Sequence, residues 1–186
     1  MKIALVGILF ASYALAHAQA AAAQASCGPT ETQFETRLSK PQPVSVQSTS
    51  AQPASRPAPE AGKSLVYVVE VFDKAVGELG RPTVRVGIDG KWIGADKGNS
   101  YLSFSVDPGE HHVCTNWQSR WKRLSKESAF TSFNADPGKT YYFRAHIIEH
   151  GGSTGPSNFS LELEPLNGDE GQYLVASSAQ SISSAK

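Results

Sequence analysis

From Lys63 onward the chain falls into short apolar or alternating runs separated by turn residues. Ser64–Phe72 (SLVYVVEVF) is a continuous β-branched and aromatic run, which predicts a strand buried on both faces. Thr83–Ile88 alternates, with Val84, Val86 and Ile88 on one face and Thr83, Arg85 and Gly87 on the other. Asp89-Gly90 follows and predicts a hairpin, because both positions of such a turn need positive φ; Lys91–Ala95 is its returning strand. Ser100–Val106 turns Leu102, Phe104 and Val106 inward. His111–Gln118 places His111, Val113, Thr115 and Trp117 on one face, and His112, Cys114 and Asn116 on the other. Ser128–Ala135, Thr140–Glu149 and Asn158–Glu164 are the remaining strands. Asp107-Pro108-Gly109-Glu110 and Asp136-Pro137-Gly138-Lys139 read as tight turns, with Pro fixing φ and Gly supplying its positive value. Eight short strands at roughly regular spacing predict an all-β fold, an antiparallel sandwich or barrel. One helix is expected, over Asp169–Ser177, capped by Asp169 and facing the sheet with Tyr173 and Leu174.

Outside that block the pattern fades. Met1-Lys2 precedes an uncharged Ala-, Leu-, Ile- and Val-rich run to Ala16, followed by several A-x-A sites: residues 1–20 read as a secretory signal peptide. The run is shorter than the roughly 20 residues that span a bilayer, so no transmembrane segment is expected. Residues 21–40 read as an N-terminal arm, with 27–40 as an edge strand or a docked segment. Residues 41–62, with five prolines among Ser, Gln and Ala, read as a semi-extended linker. The sandwich domain is expected over residues 63–177. The tail, 178–186, has no packing signal and is expected to be disordered.

Composition narrows the function classes. The 186 residues carry 17 basic and 17 acidic side chains. Removing the leader takes Lys2 away and leaves 16 basic against 17 acidic, a formal net charge of −1. A dedicated nucleic-acid binder would carry a strong basic excess, so nucleic acid is not an expected partner.

Cys27 and Cys114 are the only cysteines. In an oxidising compartment an even count favours a disulfide. The bridge would close a loop of about 87 residues, which the chain-entropy model credits with about 4.5 kcal/mol at most. It would tie the arm to the core across the linker. The other reading has Cys114 as a small buried hydrophobe and Cys27 as a free or lipidated thiol. Lipoprotein anchoring through Cys27 is less favoured, because Gln24 replaces the usual aliphatic residue and the Cys lies beyond the apolar run.

Several stretches together resemble a known family. They are Gly62-Lys63-Ser64-Leu65-Val66-Tyr67-Val68, Val84-x-Val86-x-Ile88-Asp89-Gly90-Lys91-x-Ile93-Gly94, Val106-x-Pro108-Gly109-Glu110-His111-x-Val113 and Pro137-Gly138-Lys139-Thr140-Tyr141-Tyr142-Phe143. Over residues 62–165 the chain resembles the bacterial exported family known as domain of unknown function 2846. Its turn rhythm is also similar to PEGA-type surface domains. The resemblance implies a transthyretin-like antiparallel β-sandwich; together with the strand and helix pattern above, the expected fold is an all-β, transthyretin-like or immunoglobulin-like sandwich of about seven to eight strands with one short C-terminal helix. It implies an envelope or exported location and carries over no catalytic residues.

Candidate chemistry is sparse. His112 and Cys114 share a strand face, with His111, His146 and His150 elsewhere, but no CxxC or HxxxH framework accompanies them, so no metal or other cofactor is expected. Gly151-Gly152-Ser153-Thr154-Gly155 lacks the spacing of a nucleophile elbow. Glu162 and Glu164 read as solvated charges rather than paired catalytic acids. Trp117, Arg120, Trp121, Lys122 and Arg123 interleave cations with aromatics, and Trp92 beside the Asp-Gly turn, like Tyr101, offers a flat apolar face. The bland reading is a solvated loop with its tryptophans laid on the sheet. The expectation is a non-catalytic, exported sandwich, periplasmic or extracellular, serving as a structural or interaction module of the envelope. The alternative is a module that binds glycans or anionic envelope ligands through Trp92, Trp117, Arg120, Trp121, Lys122 and Arg123. Partners would be an envelope protein, a glycan or a lipid headgroup.

Overall fold

A computed structural model describes residues 27–29, 31–39, 58–73, 76, 80–151 and 158–186. The expected leader over residues 1–20, the start of the arm and the linker over residues 41–57 lie outside them. The described strands are β1 (Phe34–Leu38), β2 (Ser64–Phe72), β3 (Thr83–Ile88), β4 (Lys91–Lys97), β5 (Ser100–Val106), β6 (Gly109–Trp117), β7 (Ser128–Ala135), β8 (Thr140–His150), β9 (Asn158–Leu166) and β10 (Ala179–Ala185). A single 3₁₀ turn covers Leu124–Lys126, and helix α1 spans Gly168–Ser177.

The strands form a β-sandwich. One sheet has six strands in the order β1-β10-β5-β2-β8-β9, the other four in the order β4-β3-β6-β7. β2 is central, antiparallel to β5 and parallel to β8. Its position explains its unbroken apolar run: Val66 and Val68 face the interior between the sheets, while Leu65, Tyr67 and Val69 lie under α1. The hairpin between β3 and β4 turns at Asp89 (φ 49°) and Gly90 (φ 78°), the two positive values that a two-residue hairpin of this kind requires. The Pro-Gly segments at 107–109 and 136–138 are corners rather than hairpins. Each carries the chain from one sheet to the other, from β5 to β6 and from β7 to β8. The main core gathers Val84, Val86, Val113, Trp117, Phe143 and Ile147 from both sheets.

Three expectations change. The C-terminal tail is not disordered: residues 179–185 form β10, antiparallel to β1 along its length and parallel to β5 at Ala179 and Gln180. Its binary pattern is inverted. Small Ser181 points inward at 3% exposure, while Ile182, its one large apolar residue, is 60% exposed. Backbone pairing rather than apolar burial therefore holds the strand, and hydrophobic periodicity carries no trace of it. Second, β1 and β10 bring the described strands to ten, and two of the pairings, β10–β5 and β2–β8, are parallel. Third, α1 is capped by Asn167, whose Oδ1 accepts from Glu170 N at 2.9 Å; Asp169 sits in the first turn instead. Leu174 packs on the sheet as expected, joined by Val175, whereas Tyr173 is exposed.

Candidate functional site

The N-terminal arm covers the outer face of the four-stranded sheet. Cys27 is bridged to Cys114 on β6, with the Cα atoms 5.6 Å apart. Gly87 of β3 lies opposite Cys114 in register, and a Cβ there would stand 2.9 Å from both the Cys114 sulfur and the Cys27 carbonyl oxygen. The missing side chain is what lets the arm lie flat on the sheet. Trp92, expected to be an exposed ligand platform, is taken up by this arm. Its Nε1–H donates to the Pro29 carbonyl at 2.8 Å, and the Arg85 guanidinium lies 4.8 Å from its ring centre. Arg85 itself is buried, donates to Thr32 O at 2.7 Å and is held by Asn116 Oδ1. At the far end of the arm, the Gln118 side chain makes both hydrogen bonds of the Phe34 backbone, accepting from N at 2.8 Å and donating to O at 2.9 Å. The arm then becomes β1 and enters the other sheet. It bridges the two layers.

The basic and aromatic loop separates into two groups. Arg120 and Trp121 come together with Arg81, Thr83 and Trp117 around a cavity of about 230 Å³. Trp121 is 58% exposed there, while Trp117 is a core residue at 5%, edge-on to Phe159. Trp117 is therefore a wall of the cavity and not a free platform. Lys122 and Arg123 do not line it; Arg123 is turned toward β9, where Nη1 donates to Asn158 Oδ1 at 3.1 Å. A second cavity of about 300 Å³ lies between Leu38, Ser39, Gly98, Asn99, Ser177 and Ala179. Arg81 lines both. Its aliphatic stem passes close to Gly98, where an added Cβ would stand 2.9 Å from Arg81 Cβ. No carboxylate lines either cavity among the described residues.

A second feature escaped the pattern reading. Glu70 on β2 and Asp96 on β4 are both completely buried. Glu70 Oε2 accepts from Gly98 N at 2.8 Å, while Glu70 Oε1 and both Asp96 oxygens have no hydrogen-bond partner among the described residues. Desolvation raises Glu70 to about 8 against the opposing pull of the Gly98 amide. Desolvation, then the charge of Glu70, raises Asp96 well above the carboxylate range. The Ser181 hydroxyl, 2.6 Å from Ser100 Oγ, acts in the opposite direction without reversing the rise. The signal in the sequence was the single acid inside SLVYVVEVF.

The histidines do not converge. His111 Nδ1 is 2.7 Å from Asp89 Oδ2 and its Nε2 is 2.7 Å from the Asp107 carbonyl. Partial burial alone would lower its pKa, but these two acceptors outweigh burial and raise it. His146 Nε2 meets Asp73 Oδ1 at 3.1 Å, and His150 Nε2 meets Ser160 Oγ at 2.7 Å, so the Asp and Ser contacts fall on different histidines. Among the described residues no three His, Cys, Asp or Glu side chains are grouped to hold a metal ion, and no helix is long and apolar enough to cross a membrane. Glu164, read as a solvated charge, is paired with Arg144.

Residues 60–157 match the family described as Protein of unknown function (DUF2846). No curated protein and no solved structure matches the chain.

Proposed function

The chain belongs to that family of unknown function, and on this premise we propose that it is an exported, non-catalytic interaction module of the bacterial cell envelope. The observation that carries the reading is the Cys27–Cys114 bridge, which clamps the arm across one sheet before it joins the other. Such a structural disulfide persists in an oxidising compartment and not in a reducing cytosol. The positive, apolar and small-residue order of the first twenty residues supports the same compartment. A sandwich whose arm is bridged to one sheet and paired into the other suits a role in presenting surfaces rather than in turnover.

The test is cell fractionation of the native host with mass spectrometry under non-reducing conditions. The expected product lacks the leader, is found in the periplasmic or extracellular fraction, and carries the intact bridge. Full-length protein in the cytoplasm with free thiols at both cysteines overturns the proposal.

A further inference from the structure

We propose that the paired cavities around Arg81 bind a strand of a carboxylated polysaccharide, one sugar unit in each. This rests on the interaction-module reading and names its ligand class. The polar chemistry is one-sided: Arg81 and Arg120 line cavities that have no lining carboxylate among the described residues. Neither arginine has an ion-pair partner among the described residues. A planar guanidinium fork matches a carboxylate in two parallel hydrogen bonds. Trp121 adds an exposed aromatic face on the same wall as Arg120, against which the C–H face of a sugar ring can lie.

The dimensions decide between a small molecule and a chain. At about 230 and 300 Å³ each cavity falls at or below the lower end of sites for drug-sized ligands. They share Arg81 as a common wall, so a repeating ligand can place successive units on either side of one cation. The second cavity offers Asn99, whose side chain is exposed, beside the Ser39 and Ser177 hydroxyls. This is a polar lining suited to sugar hydroxyls. A membrane surface fits less well, because among the described residues Trp121 is the only exposed large apolar side chain lining either cavity. Both walls are also fixed by the arm: Gln118 of the first is bound to Phe34, and Leu38 of the second is the last residue of β1.

The experiment uses the mature, disulfide-bonded protein and calorimetric titration with a short oligogalacturonate, the matched neutral oligogalactose, inorganic phosphate and anionic lipid vesicles. Oligogalacturonate is expected to bind and to weaken with salt. Trp121→Ala and Arg81→Ala are each expected to weaken it by roughly tenfold, with Lys122→Ala unchanged. Equal binding of the neutral oligomer, preference for phosphate or vesicles, insensitivity to Trp121→Ala, or no binding by the exported, bridged protein overturns the proposal. The last result leaves the module reading standing, whereas cytoplasmic, reduced protein sinks that reading first.

Discussion

Replacing Glu70 by glutamine keeps the side-chain length and an oxygen that can accept from Gly98 N, and removes the charge. In the wild type the carboxyl titrates near 4.5 when unfolded and at about 8 when folded. The folded state therefore binds the proton more tightly. Stability is greatest below pH 4.5, falls as pH rises through the interval, and levels off above about 8. The slope is about 1.4 kcal/mol per pH unit, so the whole interval costs about 5 kcal/mol, of which about 3 is lost by pH 7. That is a large share of the roughly 5–15 kcal/mol that holds a domain together. The variant is expected to match the wild type near pH 4 and to exceed it by roughly 4 kcal/mol at pH 8. Some slope will remain in the variant because Asp96 is also raised by burial; Glu70→Gln with Asp96→Asn should flatten the curve further. Urea unfolding at fixed ionic strength across pH 4–9 measures this, with unchanged m-values as the control. Parallel curves for wild type and Glu70→Gln would refute the reasoning, since they would mean that Glu70 is solvated and ionised in the folded state.

Three further outcomes follow from the arm and the turn beside it. Replacing both cysteines by serine should lower stability by up to about 4.5 kcal/mol, and hydrogen exchange should show β1 amides opening before those of β2. Gly87→Ala puts a methyl group against the Cys114 sulfur and the Cys27 carbonyl; it should slow bridge formation on refolding and destabilise the oxidised protein more than the reduced one, read by paired thermal melts. His111 should titrate above its ordinary 6.5 by NMR, and Asp89→Asn should bring it down. Its contribution to stability is complete below pH 6.5 and is lost as pH rises through the raised folded value, while that of Asp89 is lost as pH falls through its depressed one.

The central part of the sandwich was legible because its strands obey simple rules. The double-sided burial of Ser64–Phe72, the Asp89-Gly90 turn and the inward-facing apolar sets of β3, β5 and β9 each follow from local sterics and apolar periodicity, whereas the outer face of β3, expected to be open, is also buried because the arm lies on it. The cysteine count allowed the bridge without requiring it. The candidate site was half legible: the interleaving of cations and aromatics singled out Arg120 and Trp121, which line one cavity, but Arg81 comes from before β3 and meets them only through folding. Trp92 was misplaced as a free surface, and Trp117 was left between a ligand platform and a residue tucked onto the sheet, because exposure of a tryptophan depends on what covers it. Here a distant arm covers Trp92, and Phe159 packs edge-on against Trp117.

The sequence by itself determined the positions of β2 to β9, the tight turns and the possibility of one disulfide, since these depend on contacts among near neighbours. The tertiary structure decided which strands pair, that the polar tail is a strand, that two carboxyls lie in a dry interior, and that two cavities share one arginine. Those outcomes depend on backbone pairing and burial between segments far apart in the chain, which leave no periodicity in either segment alone.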